Sequence, residues 1–261
     1  MIQQLKNLFD VNSLSVYSIA GRKEKQEDSY YTSAHYKGRQ LIFVADGVGG
    51  HGNGDFASKL CVDIFKEAHR QQKDISFDKV PKFLTETARL VGASILNYSD
   101  IHPEFKKCGT TLSGFYIMED QYYTVNIGDS RVYKFSNGIL IRETKDHSKM
   151  QRLIDAQILT EEEAKLHPEA NVMTSALGQP LEMMVIDVKG PGNLFKGDQL
   201  LALSDGVFES LDDTQIEKVI IENKEFKSLA KNLVLKAHLE GSTDNITSVI
   251  YRHKYSILSD V

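Results

Sequence analysis

Apolar and polar residues alternate along the chain in short blocks rather than in one long pattern. β-branched and aromatic residues cluster in several of these blocks, which is typical of strands. The pattern predicts strands over residues 15–19, 40–45, 111–118, 122–127, 131–136, 200–204 and 245–252. The sequence Ser136-Asn137-Gly138 between two of the apolar runs predicts a hairpin turn.

Other segments carry apolar residues at helical spacing. The pattern predicts helices over residues 57–72, 81–98, 149–156, 161–166 and 213–239, the last with a break near Asn223. Thr160 is a candidate N-cap, and Glu163 occupies the matching capping-box position. Residues 1–10 predict a short helix lying on the domain, and Gly190-Pro191-Gly192 predicts a loop.

The order of these elements favours one fold class. Predicted strands come in hairpin-like groups, and the long helices are separate from them, which is typical of antiparallel sheets covered by helices and not of a parallel βαβ sheet. The class is therefore α+β. Without a repeat or a Pro/Gly-rich linker, the 261 residues are expected to form a single domain.

Composition narrows the functional classes. Hydrophobic residues make up 41% and charged residues 26%, as in a globular protein with a substantial core. A net charge of -5 gives no electrostatic footprint for nucleic acid or anionic membrane. Neither signal peptide nor membrane span is indicated, and Cys61 and Cys108 fit no disulfide or zinc pattern. We expect a soluble cytoplasmic protein.

Acidic residues recur where predicted strands end or begin. Asp46-Gly47 and Asp205-Gly206 directly follow apolar runs, Asp129 follows the run ending at Ile127, and Asp244 precedes the run starting at Ile246. One Asp-Gly pair is usually only a turn. Acids at several strand ends can gather at one edge of a sheet, where carboxylate and carbonyl oxygens suit Mg2+ or Mn2+.

At this point the chain resembles the metal-dependent protein phosphatases, the protein phosphatase 2C family, and especially its compact bacterial members. The resemblance covers residues 14–252 and follows the family's motif order. The motifs are Gln26-Glu27-Asp28, Asp46-Gly-Val-Gly-Gly-His51 with Ala57-Ser58, Cys108-Gly-Thr-Thr111, Gly128-Asp-Ser-Arg131, Asp146-His147-Ser148, Ala176-Leu-Gly178, Leu203-Ser-Asp-Gly206 and Asp244-Asn245.

The resemblance implies a four-layer α-β-β-α sandwich with two Mn2+ or Mg2+ ions at one end. By similarity, Asp46 bridges both ions, the Gly47 carbonyl is a ligand, Asp205 and Asp244 complete one shell, Glu27 and Asp28 hold metal-bound waters, and Asp129 is a ligand of a third ion. One phosphatase domain spans residues 1–261, with an extension at 1–13, a flap-like insertion at 149–175 and a tail at 254–261.

The implied activity is hydrolysis of phosphoserine and phosphothreonine by direct attack of a metal-activated water. The implied partners are proteins that a cognate serine/threonine kinase has phosphorylated. The phosphatase itself is expected to be a monomer. Two alternatives stay open: a catalytically weak regulatory module of the same fold, and a phosphatase of small molecules.

Departures from the family pattern leave two roles open. The family usually has an arginine five positions before the first aspartate to bind the substrate phosphate, and here Lys23 stands there beside Arg22. Arg22, through a one-residue slip, is the favoured candidate, Lys23 is the alternative, and a solvated face with no role for either is the third interpretation. The two residues differ because arginine binds phosphate bidentately and lysine as a point charge. Val48 replaces the histidine of eukaryotic relatives that protonates the leaving group, so His51 is a conceivable substitute. His147 is interpreted as structural.

Overall fold

The computed structural model describes residues 13–49, 53–72, 74–170 and 172–254, so the predicted helix at 1–10 and His51 lie outside the described residues. The described strands are β1 Leu14–Ile19, β2 Asp28–Thr32, β3 Arg39–Val48, β4 Gly109–Thr110, β5 Leu112–Met118, β6 Gln121–Ile127, β7 Arg131–Ser136, β8 Ile139–Arg142, β9 Asp187–Asn193, β10 Gln199–Leu203 and β11 Ile246–Arg252.

These strands form two sheets. The first has the order β1-β11-β10-β7-β8, and the second has the order β2-β3-β5-β6-β9 with β4 alongside β3. Every strand pair is antiparallel. The grouping of strands predicted this arrangement, and the predicted hairpin turn at Asn137-Gly138 joins β7 to β8.

Helices cover the outer face of each sheet. They are α1 Gly54–Gln71, α2 Val80–Ile101, α3 Lys149–Asp155, α4 Glu161–Lys165, α5 Asp205–Phe208, α6 Asp213–Glu222 and α7 Leu229–Leu239. Helix α1 packs on β2 and β3, and α2 packs on α1, β6 and β9. On the other side, α7 packs on β1 and β11, and α6 contacts α7 and β8. No helix within the described ranges is both long and apolar enough to cross a membrane.

Alternation along single strands explains the layers. In β3, Leu41 and Phe43 belong to the core under α1 and α2, whereas Ile42 and Val44 belong to the core between the sheets. In β10, Leu201 lies in the core under α6 and α7. Each fully buried side chain of this kind contributes roughly 1.5–3 kcal/mol. Three apolar cores thus separate four layers, and the predicted α-β-β-α sandwich is confirmed.

Several segments differ from the sequence prediction, among them the unpredicted strand β4 and short helix α5. The predicted loop at residues 190–192 is wrong, because these residues belong to strand β9. Glycine and proline at residues 190–192 are typical of a loop, but β9 lies at the edge of its sheet, where proline is tolerated. Its pairing with β6 shifts register between Lys189 and Gly192. Strand β2 was not predicted either, although its first residue, Asp28, was part of a recognised motif.

The predicted helix boundaries are mostly confirmed. Helix α6 ends before Asn223 and α7 begins at Leu229, so the long predicted helix is broken where expected. Thr160 caps α4, and its hydroxyl and the Glu163 carboxylate form the predicted capping box. Helices α3 and α4 lie in the segment 149–175, between β8 and β9.

Candidate metal centre

Asp28 and Asp46 lie opposite each other on neighbouring strands. The pairing of β2 with β3 sets them side by side at one end of the second sheet. Asp28 is 7% exposed, and its Oδ2 accepts hydrogen bonds from the hydroxyls of Ser204 at 2.8 Å and Thr247 at 2.6 Å. Because Ser204 follows β10 and Thr247 lies in β11, the Asp28 carboxylate joins the two sheets.

The backbone of Asp46 is fixed by a neighbouring strand end. Its N–H donates to Thr111 Oγ1 at 2.9 Å, and its carbonyl accepts from the Thr110 hydroxyl at 2.9 Å and from the Thr111 N–H at 2.8 Å. Thr111 Oγ1 also contacts Ser130 Oγ at 2.7 Å. These contacts set the position from which the Asp46 side chain projects, a requirement for a preorganised ligand.

Asp205 approaches the same point from the first sheet. It is the first residue of α5, directly after β10, and its carboxylate lies within hydrogen-bonding distance of that of Asp46. Asp205 Oδ1 and Asp28 Oδ1 are both buried, and neither has a hydrogen-bond partner among the described residues. Buried carboxylate oxygens without a donor are costly unless a cation compensates them.

A narrow junction forms where β3 meets α1. Glu27 Oε1 accepts the Gly54 N–H at 2.9 Å, and the Glu27 carbonyl accepts the Gly47 N–H at 3.2 Å. A Cβ atom on Gly47 would lie 2.2 Å from the Gly54 carbonyl oxygen, so the backbone can approach this closely only with glycine. Asn245 Oδ1 accepts the Glu27 N–H at 2.7 Å and thereby links the junction to β11.

Asp129 lies in the turn between β6 and β7. Burial raises its pKa well above the ordinary range, and the charges of Asp205 and Asp146 add to the shift. Arg131, two residues further, donates two hydrogen bonds from Nε and Nη2 to the Asp146 carboxylate, the shorter at 2.8 Å. Its guanidinium carbon also lies 3.9 Å from the centre of the Phe208 ring, in the helix that Asp205 begins.

The clustered acids perturb one another. Burial, followed by the charges of Asp205 and Asp28, raises the pKa of Asp46 well above its usual range. Burial is also the largest cause of the raised pKa of Asp28, to about 6, and of Asp205, to about 7, with the charge of Asp244 contributing to both. Such shifts mean that the ionised cluster lacks a counter-charge, which a divalent cation would supply.

Asp244 has a different partner. Its Oδ2 lies 3.2 Å from Lys23 Nζ, and its Oδ1 accepts the Asn245 N–H at 2.7 Å. Across the described segments, no group of three His, Cys, Asp or Glu side chains already surrounds a point as metal ligands would. The donor set and the unpartnered buried oxygens of Asp28 and Asp205 fit a divalent cation, whereas Asp244 already has Lys23 as a counter-charge.

The structure therefore places the predicted site residues at one end of the sandwich. It brings together Asp28, Asp46 and Asp205, sets Glu27 and Gly47 at the adjoining junction, and places Asp129 within electrostatic reach of Asp205. Arg22 and Lys23 are both exposed, and Lys23 pairs with Asp244.

Sequence reasoning missed Glu209 and the two hydroxyls that hold Asp28. Partial desolvation and the charges of Asp205 and Asp244 raise the pKa of Glu209 to about 7, against the opposing effect of Lys23. Its spacing of four residues from Asp205, about one helical turn, was the signal that could have revealed it. Ser204 and Thr247 gave no such signal, because their role depends on contact between distant strands.

A four-layer sandwich with acids gathered at one end defines a class, the metal-dependent protein phosphatases. Residues 17–241 match the family profile described as Protein phosphatase 2C. The chain belongs to this family.

Named relatives agree along most of the chain. It is 28% identical over 229 residues to the serine/threonine phosphatase stp of Listeria monocytogenes, covering 87% of this chain and 90% of that protein. The Streptococcus agalactiae serine/threonine phosphatase structure superposes with a TM-score of 0.85 at 28% identity, covering 92% and 99% of the two chains. The catalytic domain of PstP in complex with two manganese ions is 27% identical, with a TM-score of 0.79 and coverage of 93% and 98%.

Proposed function

We propose that this chain, a protein serine/threonine phosphatase by family, hydrolyses phosphoserine and phosphothreonine with two Mn2+ or Mg2+ ions. The observation that carries the proposal is that three buried or half-buried acids, Asp28, Asp46 and Asp205, lie in contact with one another. One carboxylate oxygen of Asp28 and one of Asp205 are buried without a hydrogen-bond donor in the part of the chain that the structure describes. Manganese is favoured by the two-manganese complex of the relative PstP.

In this proposal, each acid of the centre has a defined role. Asp46 would be a ligand of both ions, the Gly47 carbonyl, Asp205 and Asp244 would be further ligands, Glu27 and Asp28 would form the outer shell, and Asp129 would hold a third ion. When bound, the ions supply a hydroxide nucleophile at neutral pH and neutralise the phosphoryl oxygens. The chain's own contribution is placement: Thr110 and Thr111 fix Asp46, and Ser204 and Thr247 orient Asp28.

A cation near the acids would bind the substrate phosphate. Lys23 is the favoured residue because it already faces the centre through Asp244, and Arg22 is the alternative. Val48, at the end of β3, has no proton to give to the leaving group. We assign the proton donor of the departing serine or threonine oxygen to water, with His51 as the alternative.

The wider setting is part of the same proposal. The whole chain acts as one phosphatase domain, with residues 149–175 as a flap beside the centre. It works as a monomer in the cytoplasm on proteins phosphorylated by a serine/threonine kinase. Its net charge of -5 supports a protein substrate over nucleic acid.

Substitution of Asp46 by Asn tests the proposal directly. The variant should lose Mn2+-dependent hydrolysis of a phosphothreonine peptide by more than the roughly 10- to 100-fold typical of outer-shell changes, because a ligand shared by two ions is lost. The parent should also be inactive in EDTA. Asp100→Asn, the same change at an exposed helical position, is the matched control and should retain parental activity.

Two results would contradict the proposal. Activity of the parent that persists in EDTA, or of Asp46→Asn at the parental level, would exclude the metal mechanism. Faster turnover of free phosphorylated metabolites than of phosphopeptides would assign the centre to small molecules instead.

A further inference from the structure

His147 lies two residues before the start of the segment 149–175 and beside the turn that carries Asp129. It is buried, with 8% of its surface exposed. Its Nδ1 accepts the Gly128 N–H at 3.2 Å, and its own N–H donates to the Gly128 carbonyl at 2.9 Å. His147 therefore binds both polar backbone groups of the residue that immediately precedes Asp129.

Gly128 needs this support because its backbone is unusual. Its φ of +100° lies in the left-handed region, and a Cβ atom there would lie 2.6 Å from Thr111 Cγ2. The Asn126 amide also donates to the Gly128 carbonyl at 3.3 Å and to the Lys145 carbonyl at 2.9 Å. The direction in which Asp129 leaves the turn thus depends on contacts from outside the turn.

Asp187 fixes the orientation of the imidazole ring. Because Nδ1 accepts a backbone N–H, the ring proton is assigned to Nε2, which lies 3.2 Å from Asp187 Oδ2. Asp187 is the first residue of β9 and pairs with Asn126 of β6. A carboxylate that accepts from one ring nitrogen fixes the tautomer and the orientation of a histidine, so Asp187 keeps Nδ1 directed at the Gly128 N–H.

The backbone of His147 also joins the two ends of the 149–175 segment. Its carbonyl accepts the Thr174 N–H at 2.7 Å, and the next residue, Ser148, forms an isolated bridge with Met173 and caps α3 through its hydroxyl. The Lys149 N–H donates to the Val172 carbonyl at 2.8 Å. One residue thus connects the base of this segment with the Asp129 turn.

We propose that His147, oriented by Asp187, is a positioning residue that holds Gly128 and thereby Asp129 in place for a divalent ion, and couples that ion to the base of the 149–175 segment. This inference rests on the role of Asp129 in the proposed function. It replaces the interpretation of His147 as merely structural.

The two nitrogens of His147 can be tested separately. His147→Asn keeps an acceptor near the position of Nδ1, whereas His147→Gln places its polar group near Nε2 and loses the acceptor for Gly128. Asp187→Ala removes the orienting carboxylate. His238→Gln, in α7, is the matched control because no hydrogen bond or ion pair of the residues that the structure describes joins His238 to the Asp129 turn.

Calorimetric titration of Mn2+ into the metal-free proteins is the primary measurement. His147→Gln should weaken the weakest Mn2+-binding step about tenfold or more, and Asp187→Ala should weaken it in the same direction, whereas His147→Asn and His238→Gln should bind as the parent does. Hydrolysis of the phosphothreonine peptide by His147→Gln should need correspondingly more Mn2+ and recover at excess Mn2+.

A parental Mn2+ isotherm for His147→Gln, even with a lower melting temperature, would overturn the proposal, as would equal defects in His147→Asn and His147→Gln. If His147→Gln does not fold, the decision rests on Asp187→Ala. Mn2+ binding as tight as that of the parent would overturn the proposed role of His147, and weaker Mn2+ binding would support it. Because binding is measured without turnover, a parent inactive on the peptide would refute the proposed function while the isotherms still decide the role of His147.

Discussion

At the scale of single residues, the site depends on which partner each charged group finds. Asp28 is held by two hydroxyls, whereas Asp244 is held by Lys23. The sequence identified every one of these acids, because they belong to recognised motifs. It left the choice between Lys23 and Arg22 open, because no local sequence pattern determines which of two neighbouring loop residues points its side chain towards the acids.

The substrate cation can be assigned by kinetics. At saturating Mn2+, Lys23→Ala should raise KM for a phosphothreonine peptide about tenfold, because a charge-assisted contact contributes roughly 1.5–3 kcal/mol. Steady-state kinetics with Lys66→Ala, an exposed lysine on α1, provide the control. A larger rise in KM for Arg22→Ala than for Lys23→Ala would assign the role to Arg22.

At the scale of elements, two short connections set the geometry of the centre. The β3–α1 junction brings Gly47 and Gly54 into backbone contact, and the β10–α5 junction places Asp205 at a helix start. The continuous apolar run of β3 made that strand and its terminal Asp46 predictable. The sequence pattern does not predict strand β9, because its glycines and proline are typical of a loop. Its extended conformation depends on pairing with β6.

Gly47→Ala should damage the junction through steric overlap alone, since its Cβ would meet the Gly54 carbonyl at 2.2 Å. We expect a loss of about 1–3 kcal/mol in the free energy of unfolding, measured with urea, together with loss of Mn2+-dependent activity. Gly138→Ala is the comparison: its φ is +82° but the space around it is open, so only about 1 kcal/mol should be lost, with activity retained. Equal effects in both variants would argue against a steric requirement at Gly47.

At the scale of the whole molecule, the acids at the end of the sandwich connect metal binding to stability. The fold class and layer order were predictable, because hairpin groups and separate helices admit few arrangements. The contacts between the sheets were not, since Asp28 and Thr247 lie far apart in sequence and meet only in the folded chain.

Without metal, stability should fall as pH rises. The folded-state pKa values of Asp28, about 6, and Asp205, about 7, lie above the ordinary value of 3.8, so folding favours their protonated forms. Their stabilising contribution is complete below pH 3.8 and is lost as pH rises through 6 to 7. In EDTA, the melting temperature should therefore decrease as pH rises from 5 to 8.

Mn2+ should reverse this trend, because it binds the ionised acids and competes with protons. Thermal melts should show a larger Mn2+-induced shift at pH 8 than at pH 5. Asp205→Asn should flatten the pH dependence in EDTA. If the difference in melting temperature between the parent in Mn2+ and the parent in EDTA did not change with pH, this account of the acid cluster would be contradicted.

Strand β9 has one further consequence, for behaviour at high concentration. An exposed sheet edge offers unpaired N–H and carbonyl groups to a strand of another molecule, which is a route to aggregation. Pro191 has no N–H to offer, and Lys189 adds an exposed charge to the same edge. The residues that made β9 resemble a loop in the sequence thus discourage intermolecular strand pairing at this edge of the second sheet.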